Sequence, residues 1–466
     1  MGCLHWEVSM SHMTRRSGSL FLLALGLGLG FASDATGQTG VVSLNDTATP
    51  PTMLQLPGPG VVRTSVRPQT KVSGVSVASK LPALTAMRVS PFTGVTLEIT
   101  RKATRTTKEG ATVWQGVVKG APKSSAFLMA KENTVIGNIR SGSTVYKIRS
   151  RPDGTLVTQE VNLALLPQEA PNIMTRVQGS KLDICPPVAN PNTQVDVFVA
   201  YTAAAETQAG GADAMAQEIV LSIEDTNTAL EASGANVRVN LVGQKKYTYT
   251  ESDMGTNLAR LKNKTDGHLD DVHTQRDNTG ADIAVLLTAG GAYCGWAGMI
   301  MDTPAPEAEV DAVAVVKLSC SSANHSFPHE LGHLFGLHHD RAADNTGPAN
   351  AHGHVDLGNR FRTVMAYNNQ CSNAGFDCVR LQHFSNPSVS YEGHPTGVAG
   401  ASENASILRT NAPTVSAFRV STADNTFGWM SSCRIAKRRP FVFANDCPTC
   451  VLSQAQVVPH VAPIWK

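Results

Sequence analysis

His329-Glu330-Leu331-Gly332-His333-Leu334-Phe335-Gly336-Leu337-His338-His339-Asp340 decides how the rest of this chain is read. On a helix, His329 and His333 lie one turn apart, so their imidazoles leave one face with Cβ atoms about 5–6 Å apart. That spacing suits two nitrogens sharing a Zn²⁺ at ~2.0–2.1 Å. Glu330 stands one step round the helix, off the ligand face but near any water on the metal. Gly336 accepts the positive φ that ends a helix, so the chain can turn back and bring in His339 as a third nitrogen. Three protein ligands leave one position for water, which is the pattern of a catalytic zinc. His-Glu-x-x-His alone arises by chance roughly once in fifty such chains; Gly336 and His339 at their offsets lower that to on the order of one in ten thousand. His338 matches no ligand spacing and is expected to be a solvated neighbour. Asp340 is expected to hold the turn after His339.

A second stretch, Thr363-Val364-Met365-Ala366-Tyr367, follows roughly thirty residues after the helix. Together the two resemble the zinc signature and methionine turn of the metzincin metallopeptidases. The resemblance makes Met365 a soft floor beneath the three histidines. Tyr367 resembles the tyrosine that astacin- and serralysin-like members place beside the zinc. The wider pattern of Phe361-Arg362, Cys371, Arg380, Phe384-Ser385-Asn386-Pro387 and Val389-Ser390-Tyr391 is similar to reprolysin-type secreted peptidases of bacteria. Within these it looks most like the peptidyl-Asp metalloendopeptidases, which cut on the amino side of acidic residues. The likeness spans about residues 192–420.

The resemblance implies one catalytic Zn²⁺ on His329, His333 and His339; no calcium requirement is read from the sequence. Such a zinc lowers the pKa of a bound water to about 7. Glu330 would serve as general base and then as acid toward the leaving amine. Tyr367 would hydrogen-bond the developing oxyanion. An acid-accepting pocket needs a cation, for which the segment around and beyond the turn offers Arg380 and, second, Arg362; a guanidinium pairs bidentately with a carboxylate. Cys185, at the junction before the catalytic half, is a candidate latency switch, since a thiolate is a good zinc ligand. A disulfide at Cys185 is the alternative.

Arg15-Arg16 precede an apolar run from Leu20 to Phe31, shorter than the ~20 residues of a spanning helix. Small residues follow, so residues 1–35 read as a secretory signal peptide and the location as extracellular or periplasmic. Nine cysteines in such a chain favour disulfides. Cys294 with Cys320, and Cys371 with Cys378, are the plausible pairs. Cys447-Pro-Thr-Cys450 reads as a tail bridge, and Cys433 is left unassigned.

The chain is long enough for more than one domain: 466 residues against a usual ~100–200 per domain. Residues 36–75 read as a linker. Residues 76–191 read as a small antiparallel β domain and an exposed connector, similar in position to a reprolysin-type propeptide, with a permanent accessory domain as the alternative. Residues 192–420 carry a βαβ order that implies an α/β domain with a mixed, mostly parallel sheet, and 421–466 a tail. A net charge of +2 implies neither nucleic-acid nor membrane binding once the signal is removed. Protein or peptide substrates are the expected partners. Two other readings stand beside the peptidase: a metalloprotease-like binding protein without turnover, and a zinc-dependent amidase. Glu330 argues against the first, because binding needs the histidines at most.

Overall fold

The computed structural model describes residues 41–171, 193–298 and 306–419, apart from residues 46, 56, 57, 73, 74 and 122. Residues 1–40, on which the expected signal peptide falls, residues 172–192 with Cys185, and residues 420–466 with Cys433, Cys447 and Cys450 lie outside the described residues.

Residues 193–419 are built on a five-stranded sheet. Its strands, which follow ten N-terminal ones (β1–β10, described below), are β11 (Thr193–Thr202), β12 (Val237–Tyr247), β13 (Ile283–Thr288), β14 (Gly295–Ala297) and β15 (Val313–Lys317). They lie in the order β12-β11-β13-β15-β14. The first four are parallel, and β14 closes the edge antiparallel to β15, with Gly295 opposite Val316. The strand sequences are nearly continuous apolar runs because both faces of the sheet are covered. Val195, Val197, Val199, Val285, Leu287, Ala314 and Val316 turn to one side. There they meet Met215, Ile219 and Ile223 of helix α1 (Ala212–Ala232), and Phe327, Leu331 and Leu334 of a later helix, Ser326–Leu334. The intervening Phe198, Ala200, Ala284, Leu286, Val313 and Val315 face the other side, where Leu258, Leu261 and Val272 come from α2 (Met254–Lys262) and α3 (Asp270–Thr279). The two-residue period of the strands therefore sorts the chain into two cores. Ser326–Leu334 is α4, and the last helix, α5, is Asn404–Val415, ending two residues beyond Pro413.

Two disulfides form where the cysteine positions suggested them. Cys294–Cys320 joins the start of β14 to the loop after β15, and Cys371–Cys378 closes a short loop. A bridge of this kind stabilises by roughly 2–4 kcal/mol. No described helix is long and apolar enough to cross a membrane.

The N-terminal half is a ten-stranded sheet. Its strands are β1 (Val42–Ser43), β2 (Thr52–Leu54), β3 (Val61–Pro68), β4 (Ala86–Phe92), β5 (Val95–Thr106), β6 (Thr112–Val118), β7 (Ser125–Lys131), β8 (Thr134–Ser141), β9 (Thr144–Ser150) and β10 (Thr155–Asn162). From β4 to β10 it is an antiparallel meander, and β3 pairs beside β10. This corrects the reading of 36–75 as a linker. The strand β3 escaped notice because its buried positions are polar: Thr64, Ser65 and Arg67 are each under 10% exposed. Their polar groups are partly satisfied by backbone, with Ser65 Oγ donating to Pro91 O at 2.6 Å and Arg67 Nη1 to Thr49 O at 2.6 Å. Such a strand has no apolar alternation to read.

One face of this sheet rests on residues 193–419. Val113, Phe127, Met129 and Ile136 enclose Leu221 of α1. Around that contact the junction is ionic. Glu218 of α1 pairs with Arg149 and, at 3.2 Å, with Lys147, all three nearly buried. Those cations, after burial has pushed the other way, hold the Glu218 carboxyl down at about 2. Arg140 Nη2 donates to Ala323 O at 2.6 Å, just before α4.

Candidate active site

Helix α4 begins abruptly after His325, which takes a left-handed φ of 55° and sets its Nδ1 2.9 Å from Asp225. Pro328 sits in the first turn, where no N–H partner is needed. The helix stops at Gly336, whose φ of 84° allows Leu337 N to return to Gly332 O at 3.0 Å. Gly332 is required for another reason: a Cβ there would lie 2.5 Å from Met365 Sδ. The turn carrying Met365, closed by Ala366 N donating to Thr363 O at 3.0 Å, thus packs directly under the helix. Met365 is fully buried.

The return of the chain brings His329, His333 and His339 together. Their Nε2 atoms lie 3.1–3.2 Å apart pairwise, and among the described residues this is the cluster able to hold a metal ion. His329 Nδ1 is 2.8 Å from Val364 O, and His333 Nδ1 is 2.8 Å from Leu337 O. A carbonyl accepts and never donates, so at His333 the proton belongs on Nδ1 and leaves Nε2 bare. Burial pushes all three imidazoles below their ordinary range, His333 to about 4, and Arg380 adds to the shift at His329. All three are neutral at pH 7. Three neutral ring nitrogens this close crowd one another unless a cation takes their lone pairs. An ion with tetrahedral ligands at ~2.0–2.1 Å spaces them about 3.3–3.4 Å apart, so the donor set fits.

Glu330 is buried beside this cluster, and its Oε1 has no hydrogen-bond partner among the described residues. Such an orphan is costly unless another group meets it, and a water at the histidine cluster would do so. Burial raises the Glu330 carboxyl well above the usual carboxylate range; the nearby Glu169 carboxylate raises it further and Arg380 opposes both. Strand β14 passes so close that a Cβ on Gly295 would fall 2.2 Å from Glu330 Oε1. Tyr367 leans over the site, its ring centroid 4.1 Å from that of His339. Asp340 holds this corner: its carboxylate accepts from Tyr367 N at 2.9 Å and from Gln370 Nε2 at 2.8 Å.

The two arginines separate. Arg380 is 3% exposed and reaches under the first histidine, Nε donating to Val364 O at 2.9 Å and Nη2 lying 2.6 Å from His329 Nδ1. Its Nη1 pairs with Glu169 Oε1 at 2.7 Å and donates to Asn324 O at 2.8 Å. Arg362 instead braces the turn, Nη1 donating to Ala366 O at 2.6 Å. His338 is a correction. It is fully buried, not solvated, with Nδ1 2.9 Å from Asp344 and a bridge to His352. Its spacing gave no hint of that partner six residues on.

Sequence reasoning missed Glu169, Gly295, Gly332, Asn324 and Ser326. Residues 165–193 read as an exposed connector, yet Glu169 and Ala170 are buried and lie across the site. The one available signal was an acid held between Pro167 and Pro171, since residues before proline favour extended backbone.

Comparison with known proteins places this geometry in a family context. Residues 191–377 match the family model described as metallo-peptidase family M12. The chain is 32% identical over 353 residues to a peptidyl-Asp metalloendopeptidase of Stenotrophomonas maltophilia (strain R551-3), covering 70% of this chain and 81% of that one. A protein of the same description from Xanthomonas campestris pv. campestris is 31% identical over 314 residues, covering 64% of this chain and 70% of the other.

Proposed function

From the premise that the chain belongs to metallo-peptidase family M12 and is a metalloendopeptidase, we propose that it is a secreted zinc enzyme cutting peptides on the amino side of aspartate or glutamate. The observation that carries the zinc reading is the convergence of three Nε2 atoms beside the unpartnered oxygen of Glu330. The signal-like N-terminus and the two disulfides support secretion.

His329, His333 and His339 would hold the ion, with Met365 beneath them. When bound, zinc supplies Lewis-acid polarisation and brings the pKa of water to about 7. Glu330 would accept a proton from a water beside the three histidines and pass it to the leaving amine. Tyr367 offers its hydroxyl to the oxyanion that develops on the attacked carbonyl. Its phenol pKa is raised by burial and by Glu169 and Glu330, so it remains a donor. Val364 O and Leu337 O orient the imidazoles. In this reading residues 41–171 belong to a propeptide domain and the chain from 193 onward to the enzyme. Cys185 lies outside the described residues.

Arg380 supplies the cation for an acidic side chain. Losing a charge-assisted contact costs ~1.5–3 kcal/mol, roughly ten- to a hundredfold. Arg380→Ala is therefore expected to lower kcat/KM for Asp-containing peptides by that factor while neutral peptides lose much less. Because Arg380 also shares Val364 O with His329, the informative number is the acidic-to-neutral ratio. Cleavage profiling of a peptide library by both proteins measures it. A wild-type preference for large apolar residues after the cut would contradict the acid-accepting pocket.

A further inference from the structure

The counter-ion of Arg380 comes from the N-terminal half. Glu169 is 4% exposed, and its Oε1 accepts from Arg380 Nη1 at 2.7 Å, from Ser326 Oγ at 2.7 Å and from Asn324 Nδ2 at 3.4 Å. The three donors all belong to the catalytic half: Ser326 opens α4, Asn324 precedes it, and Arg380 lies beyond the methionine-bearing turn. Glu169 is also the one acid paired with Arg380 among the described residues.

The backbone around Glu169 is held as firmly as its side chain. Cys294 N donates to Gln168 O at 2.8 Å, and Ala170 N donates to Gly295 O at 3.0 Å. The segment thus lies along the free edge of β14, a strand-addition mode of peptide binding. Tyr367 Oη lies 3.1 and 2.9 Å from the carbonyl oxygens of Glu169 and Ala170, which share its single proton. Every group assigned above to substrate or oxyanion is therefore engaged by residues 168–170 of the same chain.

An acid is a costly choice for a linker that merely lies flat. Replacing a buried ion pair by well-packed apolar residues is often neutral or stabilising, whereas removing one partner leaves a buried charge uncompensated. Glu169 is explained if Arg380, Ser326 and Asn324 form a cradle whose proper ligand is a carboxylate.

We propose that Arg380, Ser326 and Asn324 are the binding site for the acidic side chain of a substrate, and that Glu169 fills it from within and keeps the intact chain latent. The proposal rests on the acid-preferring reading above and adds two specificity residues, Ser326 and Asn324, and an occupant. The arrangement is inhibitory, not a substrate poised for cutting. The carbonyl before Glu169, which cleavage on its amino side would attack, is turned to Cys294 N, while Tyr367 faces the next two carbonyls. Removal of Glu169 leaves Arg380 buried without its counter-ion, which favours the next carboxylate to arrive.

Binding tests this without turnover. Full-length chains carrying Glu330→Gln, with and without Glu169→Ala, are titrated into a fluorescein-labelled peptide with a central Asp and into its Asn counterpart, read by anisotropy. Glu169→Ala is expected to strengthen binding of the Asp peptide by roughly tenfold or more, and Asp over Asn preference is expected only when Glu169 is replaced. Glu169→Gln, which keeps the size and loses the charge, is expected to act in the same direction and guards against misfolding of the alanine variant. Adding Ser326→Ala to Glu169→Ala should reduce the Asp preference severalfold. Equal binding of the Asp peptide with and without Glu169 overturns the internal occupant. Equal affinity for Asp and Asn peptides in the Glu169→Ala chain overturns the cradle. Failure of the peptidase reading shows separately, as absence of casein hydrolysis by the Glu330-intact chain carrying Glu169→Ala.

Discussion

Glu330→Gln is expected to keep its metal and to lose turnover by roughly 10²–10⁴-fold, the usual contribution of a positioned general acid–base group. Glutamine has nearly the same size and shape, so the buried space beside β14, where Gly295 already gives way to Glu330, stays filled. The three histidines and their carbonyl partners are untouched. What is lost is the ability to accept a proton from water and return it to the amine. The check is kcat measured alongside metal content by elemental analysis. Near-normal kcat at full occupancy would remove Glu330 from the mechanism. Low kcat with no metal would show that Glu330 holds the site together.

His333→Ala is expected to have the opposite signature: metal is lost, and activity with it. His333 stands 3.2 Å from one ligand nitrogen and 3.1 Å from the other, so its removal leaves two nitrogens and no enclosing geometry. Loss of an outer hydrogen-bond partner alone typically costs about 10–100-fold in metal affinity or activity, and loss of the ligand should exceed that. Leu337 O also loses its donor, so some loss of thermal stability should accompany it. The test is a zinc titration of the purified variant followed by calorimetry or a colorimetric chelator. Stoichiometric zinc binding at wild-type affinity would mean that a different residue set holds the ion.

Much of this site was legible because its residues are local in sequence. A single helical turn relates His329 to His333, a glycine marks the reversal, and His339 follows at once. The five-residue turn at Thr363–Tyr367 is equally compact. The α/β sheet was legible for a different reason: burial on both faces makes its strands apolar runs, as in Val195–Tyr201 and Ile283–Leu287. Three features were not legible. The strand Val61–Pro68 buries Thr64, Ser65 and Arg67, so its pattern is polar. His338 finds Asp344 through a loop whose path no periodicity encodes. Glu169 lies 211 residues from Arg380, and an ion pair between distant segments has no signature in either one. Arg380 itself was singled out by its place after the turn; the carboxylate that meets it came only from the structure.

The central claim is that one zinc ion on three histidines drives peptide hydrolysis. The direct measurement is hydrolysis of casein and of an Asp-containing peptide by the purified protein, before and after stripping with a chelator and after return of one equivalent of zinc. Near-complete loss on stripping, recovery with one zinc per chain, and cuts on the amino side of the acid are expected. Hydrolysis that persists at full rate in metal-free protein would contradict it.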